Sequence, residues 1–192
     1  QPVDTGYGVL QWVHRHRTKL GGQGALVYLA GEEAGGNLAA AVALMARDQA
    51  HPPLAGQILL SPMLDPCVGS ASQRRTTGDA VDCKWVQGWR NFLRCPRDAE
   101  HPYAVPASAH RLAGLPPTLV LVGDTDPMRD EALAYAARLH AAGLQVTQHV
   151  FAKAEKWPEP LLETGPHECR CAGAVQEEFR RFFEATRCRE SS

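Results

Sequence analysis

The stretch "VYLAGEEAGGNLAAAVALMARD", residues 27–48, decides the fold. "ALVYLA", residues 25–30, is a short continuous apolar run, the pattern of a strand covered on both faces. After it come Gly31, Gly35 and Gly36, and then residues 37–47, which are alanine-rich and apolar almost all round, as suits a helix packed closely on a sheet. The turn between them carries two acids, Glu32 and Glu33.

Working outward, Asp4 can cap a first helix whose apolar positions Val9, Trp12 and Val13 share one face, ending near Leu20 and "GGQG". "GQILLSP" and "TLVLVG" (residues 118–123) read as two further buried strands. Residues 131–142 form a helix stopped by Gly143, and "QVTQHVF" alternates like a fourth strand. Residues 174–185 close the chain with a helix whose inner face holds Val175, Phe179, Phe182 and Phe183. Strands alternating with helices indicate an α/β fold with a parallel, doubly covered sheet. Between the second and third strands, residues 67–115 have a different character and form a cap-like or connecting segment. There Val81, Trp85, Trp89 and Phe92 fall at helical spacing, ahead of a proline-rich connection.

The chain has 192 residues, 44% of them hydrophobic, enough to bury one core, so it is expected to be a single domain. Its 20 basic and 21 acidic side chains are interspersed, without the basic face of a nucleic-acid binder. No apolar run approaches the ~20 residues of a membrane span, and the N-terminus lacks the apolar core of a signal peptide. Cys67, Cys83, Cys95, Cys169, Cys171 and Cys188 are too dispersed for a disulfide framework, which leads to an expectation of reduced thiols and a cytoplasmic setting. "HECRC" gathers His167, Cys169 and Cys171 without a second ligand pair at zinc spacing, so thiols are favoured over a metal site there. No metal or cofactor is expected.

Gly31-Glu32-Glu33-Ala34-Gly35-Gly36-Asn37, together with "PPLAGQILLSPMLDP", "HPYAVPASA" and "LPPTLVLVGDTDPMRDEALAYAARLHAAGLQV", resembles the α/β-hydrolase fold and, more narrowly, the carboxylesterases of the hormone-sensitive lipase family. The matches run in the family's order through about Phe151. In that family the elbow reads Gly-Asp-Ser-Ala-Gly-Gly-Asn, so the resemblance implies that Glu33 stands at the nucleophile. Ala34 would supply a backbone N–H for an oxyanion, and Asp126, first residue of "DPMRDE", would be the triad acid; the alternative for Asp126 is a turn aspartate that caps the following helix. Laid without gaps on the family's Tyr-Pro-Gly-Met-Ile-His-Gly-Phe, "VFAKAEKWPEP" puts Lys156 at the histidine and Trp157 at the glycine. His167 reaches that corner only if the residues before it form an inserted loop, while His149 lies within the fourth strand. With Lys156 in place, Glu33 and Lys156 would form a salt bridge with Asp126 as second acceptor.

The family's His-Gly-Gly-Gly loop and first strands do not occur, and the first residue is Gln1. The expectation is therefore a partial α/β-hydrolase-like domain over residues 1–192, whose open sheet edge is covered in the larger protein, by a second chain or by a swapped copy. Two functions follow. One is an esterase homologue without serine-hydrolase activity that binds a small apolar ligand or a partner between the elbow and residues 81–92, with Trp85 and Trp89 as contacts. The other is an active carboxylic-ester hydrolase that uses Glu33 with Asp126 and His167.

Overall fold

The computed structural model describes residues 2–67, 69–77, 84–155, 157 and 171–187. Four strands, β1 (Tyr28–Glu32), β2 (Gly56–Leu60), β3 (Thr118–Gly123) and β4 (Val146–Phe151), form one parallel sheet in that spatial order. Among the described residues six α-helices accompany them: α1 (Pro2–Gly21), α2 (Ala34–Asp48), α3 (Ala71–Thr77), α4 (Lys84–Phe92), α5 (Arg129–Ala141) and α6 (Ala172–Arg187). The segment between β2 and β3 contributes α3, α4 and two short 3-10 turns, Pro96–Glu100 and Pro106–Ser108.

Successive strand residues point to opposite faces, and each face has its own helices. Leu59, Val120 and Val122 meet Ala40, Ala43 and Leu44 of α2 and Ala132, Tyr135 and Leu139 of α5. Ile58, Leu119, Leu121 and Phe151 meet Phe182 of α6, with Val175, Phe179 and Phe183 packed beside them. Every residue of β3 is buried, which is why its sequence is an unbroken apolar run. Gly143, at φ 81°, ends the helical turn after α5.

Three sequence expectations need correction. First, β1 is displaced to Tyr28–Glu32, because its parallel register pairs Gly31 with Leu59 and Glu32 with Leu60. Among the described residues it is the edge strand of the sheet, with Tyr28 packed on the α6 face, Leu29 on the α2 face, and Ala30 and Glu32 exposed. Second, α1 buries Val3 and Leu10, with Tyr7 beside them, against Ala41, Val42 and Ala46 of α2. Val9 and Trp12 are 57% and 51% exposed. The contact turns on Gly6, where a Cβ would sit 2.9 Å from the Val42 side chain, so the glycine face is the one that closes on α2. Asp4 lies within the first turn of α1 and does not precede it. Third, Cys171 is disulfide-bonded and 1% exposed, so the expectation of reduced thiols fails there. A disulfide persists in an oxidising compartment, and the cytoplasmic reading loses the observation it stood on. Cys67 and Cys95 are free. Among the described residues no helix is long and apolar enough to cross a membrane, and no cluster of three potential metal ligands occurs.

Candidate functional site

The chain leaves β1 at Glu32, turns on Glu33 and enters α2 at Ala34. Glu33 has φ 49° and ψ −116°, a left-handed conformation that costs an L-residue about 1–3 kcal/mol and persists only where its surroundings over-determine it. They do so through the backbone. The Glu33 N–H donates to Leu60 O (3.0 Å), and the Glu33 carbonyl accepts from the N–H groups of Asn37 and Met63 (both 3.1 Å). The buried Asn37 amide donates to Met63 O at 3.0 Å and ties α2 to the loop after β2.

Two glycines make this turn sterically possible. A Cβ on Gly31 would lie 2.0 Å from the Gly35 carbonyl oxygen, and one on Gly36 would lie 2.8 Å from Pro62 Cβ. Gly35, by contrast, has nothing within 4 Å of its would-be Cβ and lines a cavity. Ala34 lines it too, at the first position of α2, where backbone N–H groups have no intrahelical partner.

That cavity, of about 570 Å³, lies between the elbow and α4. Its apolar walls include Leu38, Met63, Trp85, Trp89 and Phe92. Trp85 and Trp89 are 5% and 6% exposed and pack with Met63 and Met128, while Phe92 is 39% exposed. Glu33 lines this space, and its side chain has no hydrogen bond or ion pair among the described residues. Burial, then the neighbouring charges of Glu32 and Asp126, push its carboxyl up to about 7.

Asp126, 2% exposed, serves two purposes. Its Oδ1 accepts the Met128 N–H at 2.8 Å, a turn cap ahead of α5. Its Oδ2 accepts the Ser61 hydroxyl in a short hydrogen bond and the Trp157 indole N–H at 3.0 Å. The same indole N–H lies 3.0 Å from Ser61 Oγ. Trp157 stacks on Phe151, with ring centres 4.7 Å apart and planes 14° from parallel. It also covers Gly123, where a Cβ would be 2.7 Å from Trp157 Cδ1. Neither Trp157 nor Ser61 was singled out for this corner from the sequence: family spacing put Trp157 at a glycine, and Ser61 read as the end of a strand. Ser61 is 1% exposed with φ 40°, bonded into the corner and not among the residues lining the cavity.

Lys156 and His167, and with them the proposed bridge from Lys156 to Glu33, lie outside the described residues. His149 sits on β4, 37% exposed, with Nδ1 3.5 Å from Glu178 Oε1 of α6. Below the corner, Glu131 of α5, 8% exposed, accepts the N–H groups of Leu64 (3.3 Å) and Asp65 (3.1 Å). Burial pushes its carboxyl up to about 8, with those two N–H groups opposing.

A strand-to-helix elbow at φ 49° beside a buried aspartate at the end of the third strand is the frame of an α/β hydrolase. A family model for the alpha/beta hydrolase fold matches residues 1–155, and the chain belongs to that family. Among individual relatives, Esterase LipI of Mycobacterium tuberculosis is 30% identical over 151 residues, covering 77% of this chain and 47% of that protein. The gibberellin receptor GID1C of Arabidopsis thaliana is 35% identical over 154 residues, covering 74% and 44%. Among solved structures, a thermostable esterase from Pseudomonas putida superposes with TM-score 0.71 at 34% identity, covering 78% of this chain and 49% of its own. The chain spans about half the length of the curated relatives it matches.

Proposed function

We propose that this chain is a ligand-binding member of the α/β-hydrolase family that does not run the serine-esterase cycle. In this reading Glu33 stands where the esterase relatives carry their nucleophile, and the cavity beside Trp85 and Trp89 holds a small apolar ligand. The observation that carries it is the occupancy of Asp126 Oδ2 by the Trp157 indole N–H. An indole nitrogen donates and has no lone pair to take a proton, so it gives a nucleophile no base. Glu33 likewise offers no hydroxyl for acyl transfer, and the Ser61 hydroxyl is spent on the Asp126 carboxylate. That gibberellin receptors stand among the relatives supports a binding role on this fold.

The test pairs p-nitrophenyl butyrate turnover with the fluorescence of the neutral apolar dye N-phenyl-1-naphthylamine. No burst of p-nitrophenolate and a saturable rise in dye fluorescence, lowered by Trp89→Ala, are expected. A burst from the unaltered protein would overturn the reading in favour of a hydrolase that uses Glu33 with Asp126 and His167.

A further inference from the structure

We propose that the cavity beside the elbow selects an apolar amine, bound as its ammonium ion with the nitrogen on the Glu33 carboxylate and the hydrocarbon body between Leu38, Met63, Trp85, Trp89 and Phe92. The inference rests on the ligand-binding reading and adds the ligand's chemical class.

The cavity's polar inventory is short. Of the residues lining it, Glu33, Asn37 and Lys84 carry charged or amide side-chain groups, and Trp85 and Trp89 carry indole N–H donors. Asn37 is spent on Met63 O, and Lys84 is engaged elsewhere. Glu33 carries the one charged group of the lining without a hydrogen bond or ion pair among the described residues, while the Trp85 indole N–H is a buried donor without a partner among them. A half-buried carboxylate facing apolar walls is costly unless something pairs with it. A ligand with an N–H cation removes that cost, a neutral ligand leaves it in place, and a carboxylate ligand adds repulsion to it. The walls are consistent with the same choice: Trp85 and Trp89 line the cavity, and an indole ring can both attract a cation and pack against hydrocarbon. A volume of about 570 Å³ lies within the range of small-molecule sites.

Three probes of one shape separate the classes: 4-phenylbutylamine, 4-phenylbutanol and 4-phenylbutyrate, titrated calorimetrically into the whole chain at pH 8. The amine is expected to bind at least tenfold tighter than the alcohol, and the acid weaker than either. Glu33→Gln should remove the amine's advantage over the alcohol. Equal binding of amine and alcohol, or an advantage that survives Glu33→Gln, overturns the amine assignment while binding of the alcohol keeps the ligand-binding reading. Failure of all three probes and of N-phenyl-1-naphthylamine overturns both.

Should Glu33→Gln fail to fold, the unaltered protein decides through pH. The charged groups around Glu33 are Glu32 on β1, Asp126 after β3 and Lys84 on α4. With the Glu33 carboxyl pushed up to about 7, protonation at pH 5.5 should weaken the amine several-fold relative to the alcohol. An advantage that does not change between pH 5.5 and 8 overturns the assignment.

Discussion

Replacing Trp157 with Phe removes one N–H and keeps a ring that can still stack on Phe151. The indole N–H is shared between Asp126 Oδ2 and Ser61 Oγ, each at 3.0 Å, in a corner where Asp126 is 2% and Ser61 1% exposed. Water has little access to replace the lost donor. A hydrogen bond to a charged group contributes about 1.5–3 kcal/mol, and burying the carboxylate short of one donor costs on the same scale. The expected loss is therefore about 2–3 kcal/mol, which at this chain length lowers the melting temperature by about 4–12 °C. Urea denaturation followed by far-ultraviolet circular dichroism at pH 7 measures it directly.

The same corner predicts non-additivity. Ser61 donates to Asp126 and lies within reach of the indole donor, so Ser61→Ala and Trp157→Phe act on one network. The double variant should depart from the sum of the singles by about 0.5–3 kcal/mol, the range for groups in contact. A loss under about 0.5 kcal/mol for Trp157→Phe, or additivity within about 0.3 kcal/mol, would refute the shared-acceptor geometry.

Two further substitutions probe the frame around the site. Gly31→Ala forces a Cβ to within 2.0 Å of a backbone oxygen that cannot swing aside, so it should abolish soluble expression or cost several kcal/mol, whereas Gly35→Ala, with nothing within 4 Å, should shift the urea midpoint little. Glu131 has its folded pKa raised from 4.5 to about 8, so its stabilising contribution is present in acid and lost as pH rises through 8. Between pH 5 and 9 the parent should lose stability on the order of 4 kcal/mol relative to Glu131→Gln, and parallel pH profiles for the two proteins would contradict that.

How much of this was legible in the sequence depends on whether the cause was local. β3 could be read to its ends because full burial demands an unbroken apolar run, and Gly143 marks the end of α5 because the chain needs φ 81° there. α1 was harder, since Val9, Trp12 and Val13 compete with Val3, Tyr7 and Leu10 as apolar stripes. Only the closeness of Val42 to Gly6 shows which stripe faces α2. β1 runs into two acids that look like a turn, and only its pairing with β2 keeps the first of them, Glu32, in the strand. Asp126 could be singled out because the "DPMRDE" motif places it just after a strand, and its capping of the turn ahead of α5 is the local reading of the same position. Trp157 was not, because its partner Ser61 lies 96 residues away and nothing in "KWPEP" says which ring reaches it. A tryptophan after the last strand, next to a position where a base was expected, was the signal available.

The elbow's geometry explains why a carboxylate can stand there at all. Every contact that holds residue 33 in its strained turn uses backbone atoms: its N–H to Leu60, its carbonyl to Asn37 and Met63. The close approaches that permit the turn belong to Gly31 and Gly36. The side chain contributes no capping hydrogen bond to α2. The turn's cost of about 1–3 kcal/mol is therefore met whatever the side chain is, and residue 33 can change without dismantling the sheet or α2. Chemistry at the apex is then set by what faces the cavity. Under the proposed reading, a carboxylate there beside two tryptophans favours a bound cation, and the indole N–H on Asp126 supplies a donor and no base.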